Sequence, residues 1–307
     1  GCQDGGGGEC DLWEAIDLAN SNPGEDTIEF AVAEVQIDSP LPAIGEAVTI
    51  DGRDAEGSPG VALLADGALA EEHEGLALLF GSHGSTVVGV ALGGFQVGVL
   101  LGDTGGPSRV CGSYLGVGLD GQTAIPNGVG AESGGETFEN EIGAGCDALG
   151  GNVIAGNREY GIVDVGVRTQ ISANRVGIDA FGAALGNGPV GGSGAGILVS
   201  AVAEETFIGG SGGPGLGSGQ SNTIAHNHGI GVEVETSASD VSVRRNSIYA
   251  NSGGSLTFAD GGTTAVPNFE AFASGESGAK YWVTLEGAVP EAEYEIDAFA
   301  SSACDAA

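Results

Sequence analysis

The sequence predicts an all-β solenoid: parallel strands coiled rung upon rung, closed at the start by a short capping helix and followed by a small β module. Three observations carry this expectation. Beyond about residue 76 no helical period appears. Short apolar runs such as Thr86-Val87-Val88-Gly89-Val90 and Gln96-Val97-Gly98-Val99 are separated there by glycine-rich corners with no room for crossover helices. The pattern Asn-x-Ile-x-x-Asn recurs at Asn152 to Asn157, Asn222 to Asn227 and Asn246 to Asn251. A fourth copy, Ile171-Ser-Ala-Asn174, carries Thr169 in the first amide position. Glycine supplies 60 of 307 residues while 41% of the chain is hydrophobic, which excludes a flexible linker. Without a strict glycine period and with only 10 prolines, collagen is excluded too.

The elements follow in order. Cys10 to Asn20 places Leu12, Ala15, Ile16 and Ala19 on one helical stripe, with Asp11 and Glu14 spaced as a capping box and Asn20 followed by Pro23-Gly24 as the stop. The period then falls to two, and Thr27 to Phe30, Val35 to Ile37 and Val48 to Gly52 read as short strands. A Gly-Ile pair follows three of the amide repeats, at Gly161-Ile162, Gly177-Ile178 and Gly229-Ile230. A longer unit, Tyr114 to Asn127-Gly128, returns as Arg175 to Asn187-Gly188. Stacking places each turn's Ile or Val above the last, in an apolar column that no single turn buries alone. Asparagine suits the corners because it tolerates left-handed backbone and its amides can bond along the stack. The alternative, a catalytic or ligand-binding amide, fits less well, since an active site does not repeat along a fold. From residue 266 the pattern changes. Phe269 to Ala273, Tyr281 to Leu285 and Tyr294 to Phe299 read as alternating strands, with Trp282, Tyr294 and Phe299 as late aromatics. The division is therefore a β-helix over 1–265, cap included, and a small, incomplete module over 266–307.

Charge and cysteines bound the function. Eight Lys and Arg stand against 42 Asp and Glu, a formal charge of −34 that repels polyphosphate, so nucleic acid and anionic membranes are poor partners. We read this acidity first as solubility in high salt and second as affinity for hard cations such as Ca²⁺. No apolar window reaches the ~18 residues of a membrane helix, so no membrane span is expected. The absence of Met and the start at Gly1 fit a mature, exported product. The five cysteines, with no Cys/His cluster at zinc spacing, read as disulfides of a secreted or cell-surface protein. Cys2–Cys10 and Cys111–Cys146 are the expected pairs, leaving Cys304 odd.

Cys10-Asp-Leu-Trp-Glu-Ala-Ile16, preceded by Cys2 and followed by Asp26 to Phe30, Leu41-Pro-Ala-Ile44 and Val48 to Gly52, resembles the bacterial family named for its Cys-Ser-Leu-Arg-Glu-Ala (CSLREA) stretch. Asp11 and Trp13 stand where that family has Ser and Arg, and neither change touches the buried stripe. The resemblance implies a right-handed parallel β-helix of the pectin-lyase-like fold in an exported or surface-associated protein. Tyr281 to Asp305 resembles the opening of the immunoglobulin-like module that often follows such helices. The resemblance is specific for fold and assigns no reaction.

Candidate chemistry is sparse. A β-helical lyase needs an Arg or Lys beside Ca²⁺-binding carboxylates, its charge stabilising the developing carbanion. Arg158, Arg168 and Arg175 lie in neighbouring turns and Arg244-Arg245 in a later one, and surface ion pairing is the plainer role for all of them. His226 and His228 are spaced to share one face of a strand, with Glu233 and Glu235 within reach as further metal ligands. Asp103, Asp120, Asp164 and Asp179 sit in or beside glycine-rich turns as candidate Ca²⁺ ligands, although no calcium-loop motif is present. No catalytic residue or cofactor site is assigned. The expected function is a non-catalytic secreted or cell-surface scaffold. The late module has too few strands for a closed sandwich and would add strands from another copy, giving a homo-oligomer or filament. The rival is a pectin-lyase-like carbohydrate-active enzyme, a polysaccharide lyase or glycoside hydrolase. Adhesion to an extracellular glycan is a third use of the same rod. Convergence of Arg158, Arg168 and Arg175 beside acids and an aromatic would favour the enzyme, and scatter the scaffold.

Overall fold

The computed structural model describes residues 10–67, 73–103, 105–135, 139–144, 146, 150–210 and 220–258, together with the backbone of 266–272 and 280–286. Helix α1, Leu12–Ser21, begins at the expected capping box: the Glu14 amide donates to Asp11 Oδ1 at 2.8 Å and the Asp11 amide to Glu14 Oε2 at 3.4 Å. Leu12, Ile16 and Ala19 are buried and join the main core, so the helix covers the first rung. Asn20 does not end the helix. Its side chain donates to the Ala43 carbonyl and accepts from the Gly45 amide, both at 2.8 Å, which clamps the cap to the solenoid.

The chain then visits three parallel sheets in turn. The first stacks Asp26–Glu29, Val48–Asp51, Thr86–Val88, Arg109–Cys111, Glu141–Gly143, Gln170–Ser172, Phe207–Gly209 and Ser242–Arg244. The second stacks Glu34–Ile37, Val61–Ala65, Val90–Gly93, Tyr114–Leu115, Val153–Ile154, Arg175–Val176, Thr223–Ala225 and Ser247–Tyr249. The third stacks Leu76–Leu78, Val97–Leu101, Val129–Ser133, Tyr160–Asp164, Ala195–Val199, Ile230–Val234 and Leu256–Phe258. This is the parallel β-helix that the repeats predicted.

Register turns the recurring aliphatics into columns. In the first sheet Ile28, Ile50, Val87, Val110, Ile142, Ile171, Ile208 and Val243 lie in line. In the second the line is Val35, Leu63, Leu92, Leu115, Ile154, Val176, Ile224 and Ile248. Most of these side chains are fully buried, and each contributes about 1.5–3 kcal/mol by leaving water. One rung alone could not bury them, so stability is shared between neighbouring rungs.

Several sequence expectations change in detail. Thr86 to Val90 is not one strand, because Gly89 turns the chain from the first sheet to the second with φ +68°. That left-handed backbone favours glycine. The three Gly-Ile pairs are not equivalent. Ile162 aligns through Ile197 with Val232, whereas Ile230 aligns with Ala195, and Ile178 makes only an isolated bridge with Ala184. The fourth amide repeat is displaced by one sheet: Ile171 lies in the first sheet, while the Ile of the other copies lies in the second. Of the late strands, Val266–Phe272 pairs antiparallel with Lys280–Glu286, and Tyr294 to Phe299 lies outside the described residues.

Cys111 and Cys146 form the expected disulfide across 35 residues of sequence. Cys10 is also disulfide-bonded. Its expected partner Cys2, and Cys304, lie outside the described residues.

Candidate functional site

Asparagines line two corners of the solenoid. Between the second and third sheets, Asn127, Asn157, Asn187, Asn227 and Asn251 form a ladder. Each side-chain oxygen from Asn157 onward accepts both the backbone N–H and the Nδ2 of the preceding asparagine, at 2.9 to 3.3 Å. Each Nδ2 also donates to a strand carbonyl, as Asn157 does to Leu115 at 3.0 Å. Between the first and second sheets, Asn152, Asn174, Asn222 and Asn246 repeat the arrangement. The two amides of Asn-x-Ile-x-x-Asn therefore belong to different ladders, one at either end of a second-sheet strand. These side chains are buried, and their hydrogen-bonding capacity is used within the fold.

The left-handed backbone does not fall on the asparagines, contrary to expectation. It falls on the residue before them, with φ 66° at Ala173, 59° at His226, 53° at Arg245 and 54° at Ala250. The reason is the ladder itself. The asparagine must hold its own N–H and side chain toward the next rung, so its predecessor absorbs the turn.

The third corner, which the repeats did not reveal, is built from Asn140, Thr169 and Thr206, and its left-handed residues are Glu139, Arg168 and Glu205. Here the third sheet's apolar column Leu78, Leu101, Val199, Val234, Phe258 is interrupted at Ser133 and Asp164. Asp164 is fully buried. It accepts from Thr206 Oγ1 at 2.5 Å and the Gly166 amide at 3.1 Å, and Ser133 Oγ lies 3.0 Å from Thr169 Oγ1. Burial pushes the Asp164 carboxyl above the ordinary aspartate range, against the lowering effect of these hydrogen bonds. Asp164 was a candidate Ca²⁺ ligand by its glycine-rich turn, and only a register across rungs, which spacing does not show, separates this interior aspartate from the surface ones.

The arginines scatter. Arg158 donates to the carbonyls of Pro126 and Phe95, at 3.0 and 3.3 Å, and braces the corner between the second and third sheets. Arg168 pairs with Glu139 at 2.7 Å and Glu205 at 3.2 Å at the third corner. Arg175 lies on the second sheet and donates to the Ala180 carbonyl. Arg244 ends a first-sheet strand, and Arg245 stands at the next corner.

The histidines also part. The turn at His226 breaks strand alternation. Its ring meets Tyr249 on the following rung edge-on at 5.8 Å, while His228 Nδ1 lies 2.8 Å from the Gly188 carbonyl on the preceding one. Asp120 and Asp179 direct a carboxylate oxygen at their own turns, Asp120 to the amides of Gln122 and Thr123, Asp179 to those of Phe181 and Ala183. Asp103 adjoins Gly135. Among the described residues no group of three or more His, Cys, Asp or Glu is placed to hold a metal.

Two outer features remain. A cavity of about 400 Å³ near the first rungs is lined by Glu29, Phe30, Asp51, Arg53, Asp54, Ala55 and Gly57. Arg53 Nε donates to Asp51 Oδ1 at 2.8 Å, and this bond holds the carboxyl below its ordinary range. On the second sheet, the repeated longer unit forms two insertions that straddle the short rung at Val153–Ile154 and meet through Ala180 N–H to Gly121 O at 2.9 Å. Beneath them Val117, Val153 and Ala155 form a satellite core with Tyr114, Ala180 and Leu185. No family model matches the chain, and no curated protein matches it.

Proposed function

We propose that the chain is an exported, non-catalytic β-helical scaffold of the CSLREA type, displayed at a cell surface and assembling head to tail. The carrying observation is the fate of the arginines. Arg158, Arg168 and Arg175 sit at two different corners and on one sheet face, each engaged with a carbonyl or carboxylate of the fold. Catalysis of lyase type requires a cation directed at substrate, and these three are directed at the rod. The capping box, the parallel sheets and the disulfide support the family assignment, and the disulfide suits an oxidising compartment.

Assembly is supported by the late hairpin. Its register sets Pro267, Phe269 and Ala271 opposite Leu285, Val283 and Tyr281. A two-stranded ribbon is marginal in water, so it needs another surface to rest on, and a head-to-tail contact repeats into a filament unless its rotation closes. Sedimentation velocity and electron microscopy on the full chain and on a chain ending at residue 265 test this. The full chain is expected to form concentration-dependent rods or fibres that the deletion abolishes. Monomers alone at high concentration, with or without Ca²⁺, overturn assembly. Release of unsaturated or reducing sugar from pectin overturns the non-catalytic reading.

A further inference from the structure

The geometry points to a binding site for a neutral polysaccharide on the outer face of the second sheet, formed where the two insertions meet around Gly121. Phe181 is the first observation. Its backbone is fixed, because its amide donates to Asp179 Oδ1 at 2.9 Å and Arg175 braces the adjacent Ala180 carbonyl, yet its side chain is 74% exposed. The satellite core takes Ala180 and Leu185 from this insertion but not Phe181, whose ring is left largely in water. Tyr114 is the second. A Cβ added at Gly121 would lie 3.4 Å from Cε2 of Phe181 and 3.6 Å from Cε2 of Tyr114, so both rings border one turn that carries no side chain of its own.

An exposed aromatic face on a fixed backbone, beside a phenol and a guanidinium, matches a pyranose. The ring stacks on the sugar's C–H face while the polar groups meet its hydroxyls. Burial raises the Tyr114 phenol, with Arg175 and Asp54 near enough to act on it, so it stays a hydroxyl donor at neutral pH. Asp54 also lines the 400 Å³ cavity described above. Charge selects the sugar. A chain of net charge −34 repels uronates and sulfated glycans, so the ligand is uncharged.

This site rests on the surface-scaffold reading and gives the rod something to hold. Calorimetric titration of the full chain with cellohexaose, laminarihexaose, chitohexaose and hexagalacturonate tests it at low salt. At least one neutral hexasaccharide is expected to bind and hexagalacturonate to give no heat. Phe181→Ala is expected to weaken binding tenfold or more and Phe181→Trp to retain it, with the far-UV spectrum unchanged because the ring is exposed. Silence from all three neutral sugars, or equal binding by Phe181→Ala, overturns the site. Sedimentation of the same samples separates the two proposals: a chain that assembles but binds no sugar removes the site alone, and a monomer that binds removes assembly alone.

Discussion

Asn157→Ala tests whether the amide ladder holds the rungs together. Asn157 is 1% exposed. Its oxygen accepts from the Asn127 backbone N–H at 3.2 Å and from Asn127 Nδ2 at 3.3 Å, and its Nδ2 donates to Asn187 Oδ1 at 2.9 Å and to the Leu115 carbonyl at 3.0 Å. Alanine removes all of these. Replacement partners remain for most of the groups left behind: Asn127 Nδ2 keeps the Leu92 carbonyl, Leu115 keeps the Ala155 amide, and Asn187 Oδ1 keeps the Asn157 amide. The Asn127 N–H loses its acceptor inside the core. Two good bonds at about 1 kcal/mol each, two longer ones at less, and about 1–2 kcal/mol for the orphaned donor sum to about 4 kcal/mol. Guanidinium unfolding followed by far-UV circular dichroism should show this loss, and hydrogen exchange should place lost protection in the rungs beside Asn127 and Asn187. Asn20→Ala, at the less buried clamp of the cap, should cost about half as much. A loss below about 1 kcal/mol for Asn157→Ala would refute the ladder as a main source of cohesion.

The remaining predictions address backbone, charge and cross-link. Gly196→Ala should destabilise by about 3 kcal/mol, read as a denaturation midpoint, because its Cβ would stand 2.6 Å from Asn227 Nδ2 and 2.7 Å from the Gly231 carbonyl. Ala173→Gly should do the opposite and gain about 0.5–1 kcal/mol by relieving φ 66°. Because Asp164 is raised in the folded chain, the native state binds the extra proton, and stability falls as pH rises from the ordinary aspartate range to the raised value. Asp164→Asn should remove that fall and stabilise the chain at neutral pH, and parallel pH profiles for the two proteins would contradict it. Replacing both Cys111 and Cys146 by Ser should cost about 4 kcal/mol, from the loop entropy of 35 residues.

The capping box, the strands of the first rungs, the Ile columns and the amide repeat were legible in the sequence because each rests on local spacing. Leu12, Ile16 and Ala19 mark a helix by period alone, and Asn-x-Ile-x-x-Asn marks a short strand between two corners. Register was not legible. The ladder joins Asn174 to Asn222 over 48 residues but Asn152 to Asn174 over 22, because insertions of unequal length leave between rungs. For the same reason the Gly-Ile pairs looked equivalent, and the convergence of arginines could not be judged.

The sequence by itself determined that this chain stacks short strands with branched aliphatics inward and amides at the bends, since those choices repeat wherever the backbone needs them. Only the tertiary structure decided which residues become neighbours. It turned Asp164 inward, tied Arg158, Arg168 and Arg175 to different parts of the rod, and brought Phe181 and Tyr114 to one turn from positions two rungs apart. The physical reason is that a solenoid makes its contacts along its axis, perpendicular to the chain, where spacing in sequence no longer measures distance.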